Sequence, residues 1–181
     1  MKIILIGIQG AGKSTQGTLL SDKLGVPYLS TGHIFRRLAK EHSPLGRQIK
    51  VVMNAGLLIS DAQTLKIVSE YLSRPEYADG YILDGFPRTL NQAEEFKNGI
   101  DHAIYLNISD KEALWRISGR EGEAREDETL NAVRKRIDSF HKFTKPVIDF
   151  YHKKDKLIEI DGERDPEVIH KDILKHIHGP K

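Results

Sequence analysis

The sequence predicts an α/β fold, a single domain in which one parallel sheet of five strands is covered by helices on both faces. Short apolar segments alternate with longer helical patterns along the whole chain, the signature of strands buried on both sides and joined by crossover helices. With 181 residues the chain can bury one sizeable core but not two. Its 39% hydrophobic and 30% charged residues are ordinary for a globular protein and too apolar for a disordered one.

The strands are predicted at residues 2–7, 27–29, 81–84, 103–106 and 157–160. A helix over 14–24 follows the first, with Gly25 as its C-cap. Helical stretches come next at 34–41 and 45–54, and Ser60-Asp61 caps a third that runs to residue 73. The longest helical signal places Leu130, Val133, Ile137, Phe140, Thr144, Val147 and Tyr151 at alternating steps of three and four, which is one core-facing stripe. Pro146 either kinks that helix or divides it in two. Ile169, Ile173 and Ile177, at steps of four, predict a terminal helix packed on the sheet.

A formal net charge of +2 supplies no global basic field for nucleic acid or a membrane surface. The N-terminal apolar run from Ile3 to Ile6 stops at Gly7 and soon meets Lys13, too short for a signal core or a membrane span. With no cysteine in the chain, disulfides and thiolate metal sites are excluded. A cytoplasmic protein, monomeric, with small-molecule partners is the expectation. His176 and His178 have no ligand set around them and read as surface residues. Trp115 reads as helix surface or core.

Gly7-Ile8-Gln9-Gly10-Ala11-Gly12-Lys13-Ser14 matches G-x-x-x-x-G-K-[ST] directly after the first strand and directly before a helix. Glycines let successive backbone N–H groups curl round phosphate oxygens, the helix N-terminus adds positive potential, and the lysine reaches the transferred group. This defines a P-loop, three-layer fold. Gly10, Ala11, Gly12, Lys13, Ser14 and Thr15 are its candidate nucleotide-binding residues. Ser14 is the expected Mg²⁺-side hydroxyl, and Asp84, at the carboxyl end of a strand, is the expected carboxylate for Mg²⁺ or its waters.

A phosphate cradle alone does not separate kinases from switch GTPases or motor ATPases. The guanine-reading Asn-Lys-x-Asp string is absent, and Asp22-Lys23-Leu24-Gly25 closes the helix after the cradle rather than a later strand. Asp84-Gly85-Phe86-Pro87-Arg88 followed by Gln92, and Ser30-Thr31-Gly32 followed by Arg36, strongly resemble the adenylate kinase signature. Arg116 and Arg120, Arg125-Glu126-Asp127, Arg136 and Asp161-Gly162 extend the resemblance over essentially the whole chain.

The resemblance implies a helical insertion that binds a nucleoside monophosphate, residues 30–59, and a short lid, residues 120–127. It implies reversible phosphoryl transfer from MgATP to AMP. Lys13, Arg88, Arg120, Arg125 and Arg136 are then catalytic, and Arg116, Arg120 and Arg164 join the cradle in holding ATP. Thr31, Arg36, Leu57, Leu58, Ile59, Gly85, Phe86, Pro87, Arg88, Gln92, Arg125 and Arg136 form the AMP site, with Asp127 anchoring the lid. The Phe86–Pro87 peptide bond is implied to be cis. A ring of arginines suits the task, because transfer gathers negative charge in a small volume and each guanidinium presents a fork of donors.

The chain departs from the family pattern at Gln9, Ser14, His33 and Glu128, where Pro, Gly, an acidic residue and Asp are usual. Only Glu121, Gly122, Glu123 and Ala124 separate Arg120 from Arg125, so the long lid is missing, and with no cysteine a structural zinc site is not expected. Gln92 and Thr31 favour adenine, since an amide can accept from the N6 amino group and donate to N1. A flipped amide would suit another base, so a UMP/CMP or GMP kinase on the same scaffold stays open. So does a nucleotide-dependent switch without efficient transfer, although such a protein needs no acceptor site.

Overall fold

Ile3, Ile4, Leu5 and Ile6 are all buried, although side chains on a strand point alternately to opposite faces. Strand β1 (Lys2–Ile6) is therefore covered on both sides, which requires a central position. The computed structural model, which describes residues 1–119 and 129–179, has β1 between β3 (Tyr81–Asp84) and β4 (His102–Asn107). Strands β2 (Tyr28–Ser30) and β5 (Leu157–Asp161) form the edges, giving the order β2-β3-β1-β4-β5 with every pairing parallel. The five predicted strands are present, with ends shifted by a residue or so.

Register aligns the functional ends. Asp84 is level with Leu5 on one side and with Ser30 on the other. The loops after β1, β2 and β3 thus leave the sheet together at its carboxyl edge, where open α/β sheets bind ligands.

Helix α1 (Lys13–Leu24) buries Leu20 completely and ends at Gly25, whose positive φ of 65° and N–H to the Ser21 carbonyl make the predicted cap. Helix α2 (Thr31–Ala39) begins three residues earlier than the predicted 34, because the Ser30 hydroxyl caps it by accepting from the His33 N–H. The Ser-Thr-Gly string is thereby a helix start. Helix α3 (Pro44–Asn54) follows, and α4 (Asp61–Leu72) carries the expected Ser60 cap. The short α5 (Leu90–Glu95) lacks a periodic apolar stripe and was not legible; the Thr89 hydroxyl caps it.

Helix α6 (Asp110–Ser118) carries Trp115 on its surface, 69% exposed. Beyond the undescribed stretch, α7 (Leu130–Ser139) runs through a π-helical turn, Phe140–Thr144, into α8 (Lys145–His152). Pro146 lies in the first turn of α8, where a missing N–H does least harm. One widened turn absorbs it. The predicted stripe is buried from Val133 to Tyr151, but Leu130 at its start is 79% exposed. Helix α9 (Pro166–His178) buries Ile169 and Ile173 and packs on α1 and β5. Among the described residues, no helix is long and apolar enough to cross a membrane.

Leu20 has no exposed surface in α1, so truncating it opens a cavity under the cradle helix. Leu20→Ala should lower the unfolding free energy by about 2–5 kcal/mol, read from urea denaturation.

Candidate functional site

The loop between β1 and α1 turns through Gly10 and Gly12, at φ of 90° and 84°, a region where side chains are disfavoured. Gly12 then opens α1, so the helix N-terminus turns its first N–H groups and its positive end toward the loop. Lys13 Nζ lies across the loop, donating to the carbonyls of Gly7 at 2.8 Å and Ile8 at 2.9 Å. The loop opens on a cleft of about 690 Å³. Gly10, Ala11, Gly12, Lys13, Ser14 and Thr15 all line it.

Asp84 ends β3 at the floor of this cleft and is only 8% exposed. Its Oδ2 accepts from the Tyr28 hydroxyl at 2.8 Å, and its backbone carbonyl accepts from the Thr31 hydroxyl at 3.1 Å. Asp84 Oδ1 is buried without a hydrogen-bond partner among the described residues. A buried carboxylate oxygen left in that state is costly unless a cation or water meets it. With the Ser14 hydroxyl on the same cleft, the donor set is of the hard oxygen kind that suits Mg²⁺.

After β3 the chain passes Gly85, where an added Cβ would lie 2.6 Å from Thr31 Oγ1 at a φ of 81°, so a side chain is excluded. The Phe86–Pro87 bond is cis, as expected. Phe86, however, has no exposed surface and packs edge-on against Phe96 at 4.9 Å. An apolar ring at the strand end is drawn into the core, so the Phe86 side chain is off the cleft wall. Pro87 is likewise buried and sits behind the cleft, off its wall.

Arg88 is held at three points. Its N–H donates to Gln92 Oε1 at 2.7 Å, its Nε donates to the Gly85 carbonyl at 2.9 Å, and its carbonyl accepts from the Thr144 hydroxyl at 2.9 Å. Burial pushes the guanidinium below the usual arginine range; Arg136 and Arg36 push the same way and Asp84 opposes them. An anion in the cleft relieves that strain. Gln92 is 2% exposed, and its Nε2 donates to Asp61 Oδ1 at 2.8 Å.

Arg136 reaches from α7 to two separate elements, donating to Gln9 Oε1 of the loop at 3.3 Å and to the Met53 carbonyl of α3 at 3.1 Å. Arg36, Leu57, Leu58 and Ile59 line the cleft on the α2–α4 side. Arg116 and Arg164 line its other end, Arg116 ion-paired to Glu112 at 2.6 Å and Arg164 to Asp172 at 2.6 Å. Arg120, Arg125 and Asp127, and with them the expected lid, lie outside the described residues.

Tyr28, Asp61 and Thr144 were not expected at the site. Asp61 was legible only as part of a helix cap and Thr144 only as a core position. Tyr28 carried no signal. Each touches the site from a distant part of the chain, which periodicity does not encode.

Comparison with known proteins points one way. A family model described as adenylate kinase matches residues 5–156. The adenylate kinase of Acetivibrio thermocellus is 35% identical over 216 aligned positions that span all of both chains. That of Clostridium novyi is 33% identical over 216 positions, again spanning both completely. The Gloeobacter violaceus adenylate kinase is 32% identical, covering 95% of this chain and 96% of its own. Alignments of 216 positions against a chain of 181 residues mean that these relatives carry stretches lacking here.

Thr144 is positioned by the π-helical turn to hold the Arg88 carbonyl. Thr144→Val removes that donor at nearly constant shape and should cost about 1 kcal/mol of stability. Thr144→Ser, which keeps the hydroxyl, should cost less in the same denaturation series.

Proposed function

The chain belongs to the adenylate kinase family, and from that premise we propose how its cleft carries out phosphoryl transfer between ATP and AMP. The observation that carries the assignment of residues is that the phosphate cradle and Arg36, Arg88 and Arg136 line one continuous cleft. Two nucleotides brought end to end need such a cleft, with backbone donors for one set of phosphates and guanidinium forks for the other.

The cradle N–H groups and Lys13 hold the ATP phosphates, while Arg116 and Arg164 flank the ATP base. Arg88 and Arg36 hold the AMP phosphate. Arg136, already bridging the loop and α3, closes on the group in transit, and Arg120 and Arg125 join it from the lid. Because Arg88 is partly buried and kept in one orientation by Gly85, Gln92 and Thr144, its fork needs little reorganisation as charge shifts, which is where the rate gain lies.

Asp84, through Oδ1, and Ser14 would hold Mg²⁺ or its waters. When bound, the cation neutralises charge on the transferring phosphates. No side chain has to act as a strong base.

The Gln92 amide supports adenine as the acceptor base. An N–H donor faces Oε1 and a carboxylate faces Nε2, so the amide has one orientation that satisfies both. Its remaining lone pair and N–H match the N6 amino group and N1 of adenine. Guanine presents the reverse pattern, as does uracil; cytosine presents the same one. Residues 30–59 and the lid at 120–127 close over the bound pair and exclude water that would hydrolyse ATP. One chain carries both nucleotide sites, which supports a monomer as the working unit.

A panel of nucleoside monophosphates with MgATP, scored for ADP formation, tests the acceptor. AMP should be phosphorylated well above GMP, UMP and CMP; a better acceptor than AMP would overturn the base assignment and leave the fold intact. Arg88→Lys keeps the charge and loses the planar fork. Its kcat should fall by about 10³ or more, the range found for arginines that stabilise this transition state, while MgATP affinity stays near the parent's. Turnover within a few-fold of the parent would remove Arg88 from the transition state.

A further inference from the structure

We propose that Tyr28 is a positioning residue for the metal-side carboxylate, gripping Asp84 Oδ2 so that Oδ1 is the oxygen presented to the divalent cation, and that Gly17 supplies the space for this grip. The inference rests on the assignment of Asp84 to the Mg²⁺ side of the cleft.

The two oxygens of Asp84 stand in different states. Oδ2 accepts from the Tyr28 hydroxyl at 2.8 Å, whereas Oδ1 is buried with no hydrogen-bond partner among the described residues. A carboxylate with two equivalent oxygens can turn about its last torsion. A donor on one of them selects a single orientation, as outer-sphere partners of metal-binding carboxylates do. The main chain beneath is also held, since Thr31 donates to the Asp84 carbonyl at 3.1 Å and β2 pairs with β3 at Ser30 and Asp84. Side chain and backbone are therefore anchored from one strand and the helix that follows it.

Tyr28 stands level with Ile82, two residues before Asp84 along the sheet. To reach Asp84 its ring runs over α1 at Gly17. A Cβ at that position would lie 2.3 Å from Tyr28 Cε2 and 2.7 Å from Cδ2. Any other residue at 17 would displace the ring. A phenol hydroxyl has a single proton, and here it is directed to Asp84 Oδ2.

Tyr28→Phe leaves the ring on Gly17 and removes only the donor. Two measurements read the result: the Mg²⁺ concentration for half-maximal activity, and by calorimetry the gain in ATP affinity on adding Mg²⁺ without AMP. The half-maximal Mg²⁺ concentration should rise about tenfold, the lower end of the range for lost outer-sphere partners. The calorimetric gain should shrink, and saturating Mg²⁺ should restore kcat to within a few-fold with the KM for AMP unmoved. Gly17→Ala should shift Mg²⁺ dependence in the same direction, and the double variant should add little to Tyr28→Phe. Parental Mg²⁺ dependence in Tyr28→Phe overturns the proposal. So does a loss equal at all Mg²⁺ concentrations, which marks a packing role alone. Asp84→Asn separates the two layers of inference: if it too keeps parental Mg²⁺ dependence, the metal assignment of Asp84 fails, whereas a shift in Asp84→Asn with none in Tyr28→Phe removes only the role of Tyr28.

Discussion

The parallel ladder that sets Asp84 level with Leu5 on one side and Ser30 on the other governs the cleft. Three chain segments leave the sheet at one height because backbone hydrogen bonds hold them in that register. The cradle follows β1, the Ser30-capped start of α2 follows β2, and the Gly85-to-Arg88 turn follows β3. A slip in any pairing would exchange the faces of the strand and separate the cradle from the arginines. The buried β1 and β3, with Ile3, Ile4, Ile82 and Leu83 fully enclosed, make such a slip costly. The core thereby protects the geometry of the site.

Positive charge is then assembled against its own repulsion. Arg88 is held below the ordinary arginine range by burial, with Arg136 and Arg36 adding to the effect. The charge of Asp84 offsets part of that repulsion at Arg88, and neutral polar groups hold the guanidinium groups of Arg88 and Arg136 in place. Carbonyls of Gly85 and Met53 and the amide of Gln9 do so here. Gln9 stands where the family usually has proline, and its side chain gives Arg136 a contact that proline has no amide to make. The departure at this position is thus tied to a particular neighbour.

The Tyr28, Gly17 and Asp84 set shows how a site is completed from behind. Tyr28 comes from β2, Gly17 from α1 and Asp84 from β3, and each is unremarkable alone. Together they make one carboxylate oxygen different from the other. The same logic runs through Gln92, whose amide is oriented by Arg88 on one side and by Asp61 of α4 on the other.

The sequence by itself determined the class of fold, the cradle and most of the cleft's residues, because these depend on local patterns. Apolar strands, capped helices and the glycine-lysine loop are written within a few residues of one another, and short-range sterics and hydrogen bonding suffice to read them. The membership of Arg36, Asp84, Arg88 and Gln92 was legible through motif strings of the same local kind. What the tertiary structure decided lies between segments far apart in the chain: the sheet order, the burial of Phe86 away from the cleft, the start of α2 at Thr31, and the hold of Tyr28 on Asp84, Thr144 on Arg88 and Asp61 on Gln92. Periodicity records which face of an element is buried, not what it is buried against. A hydrogen bond across 56 residues, such as that from Tyr28 to Asp84, has no trace in either local pattern and exists only once the sheet has set the two strands side by side.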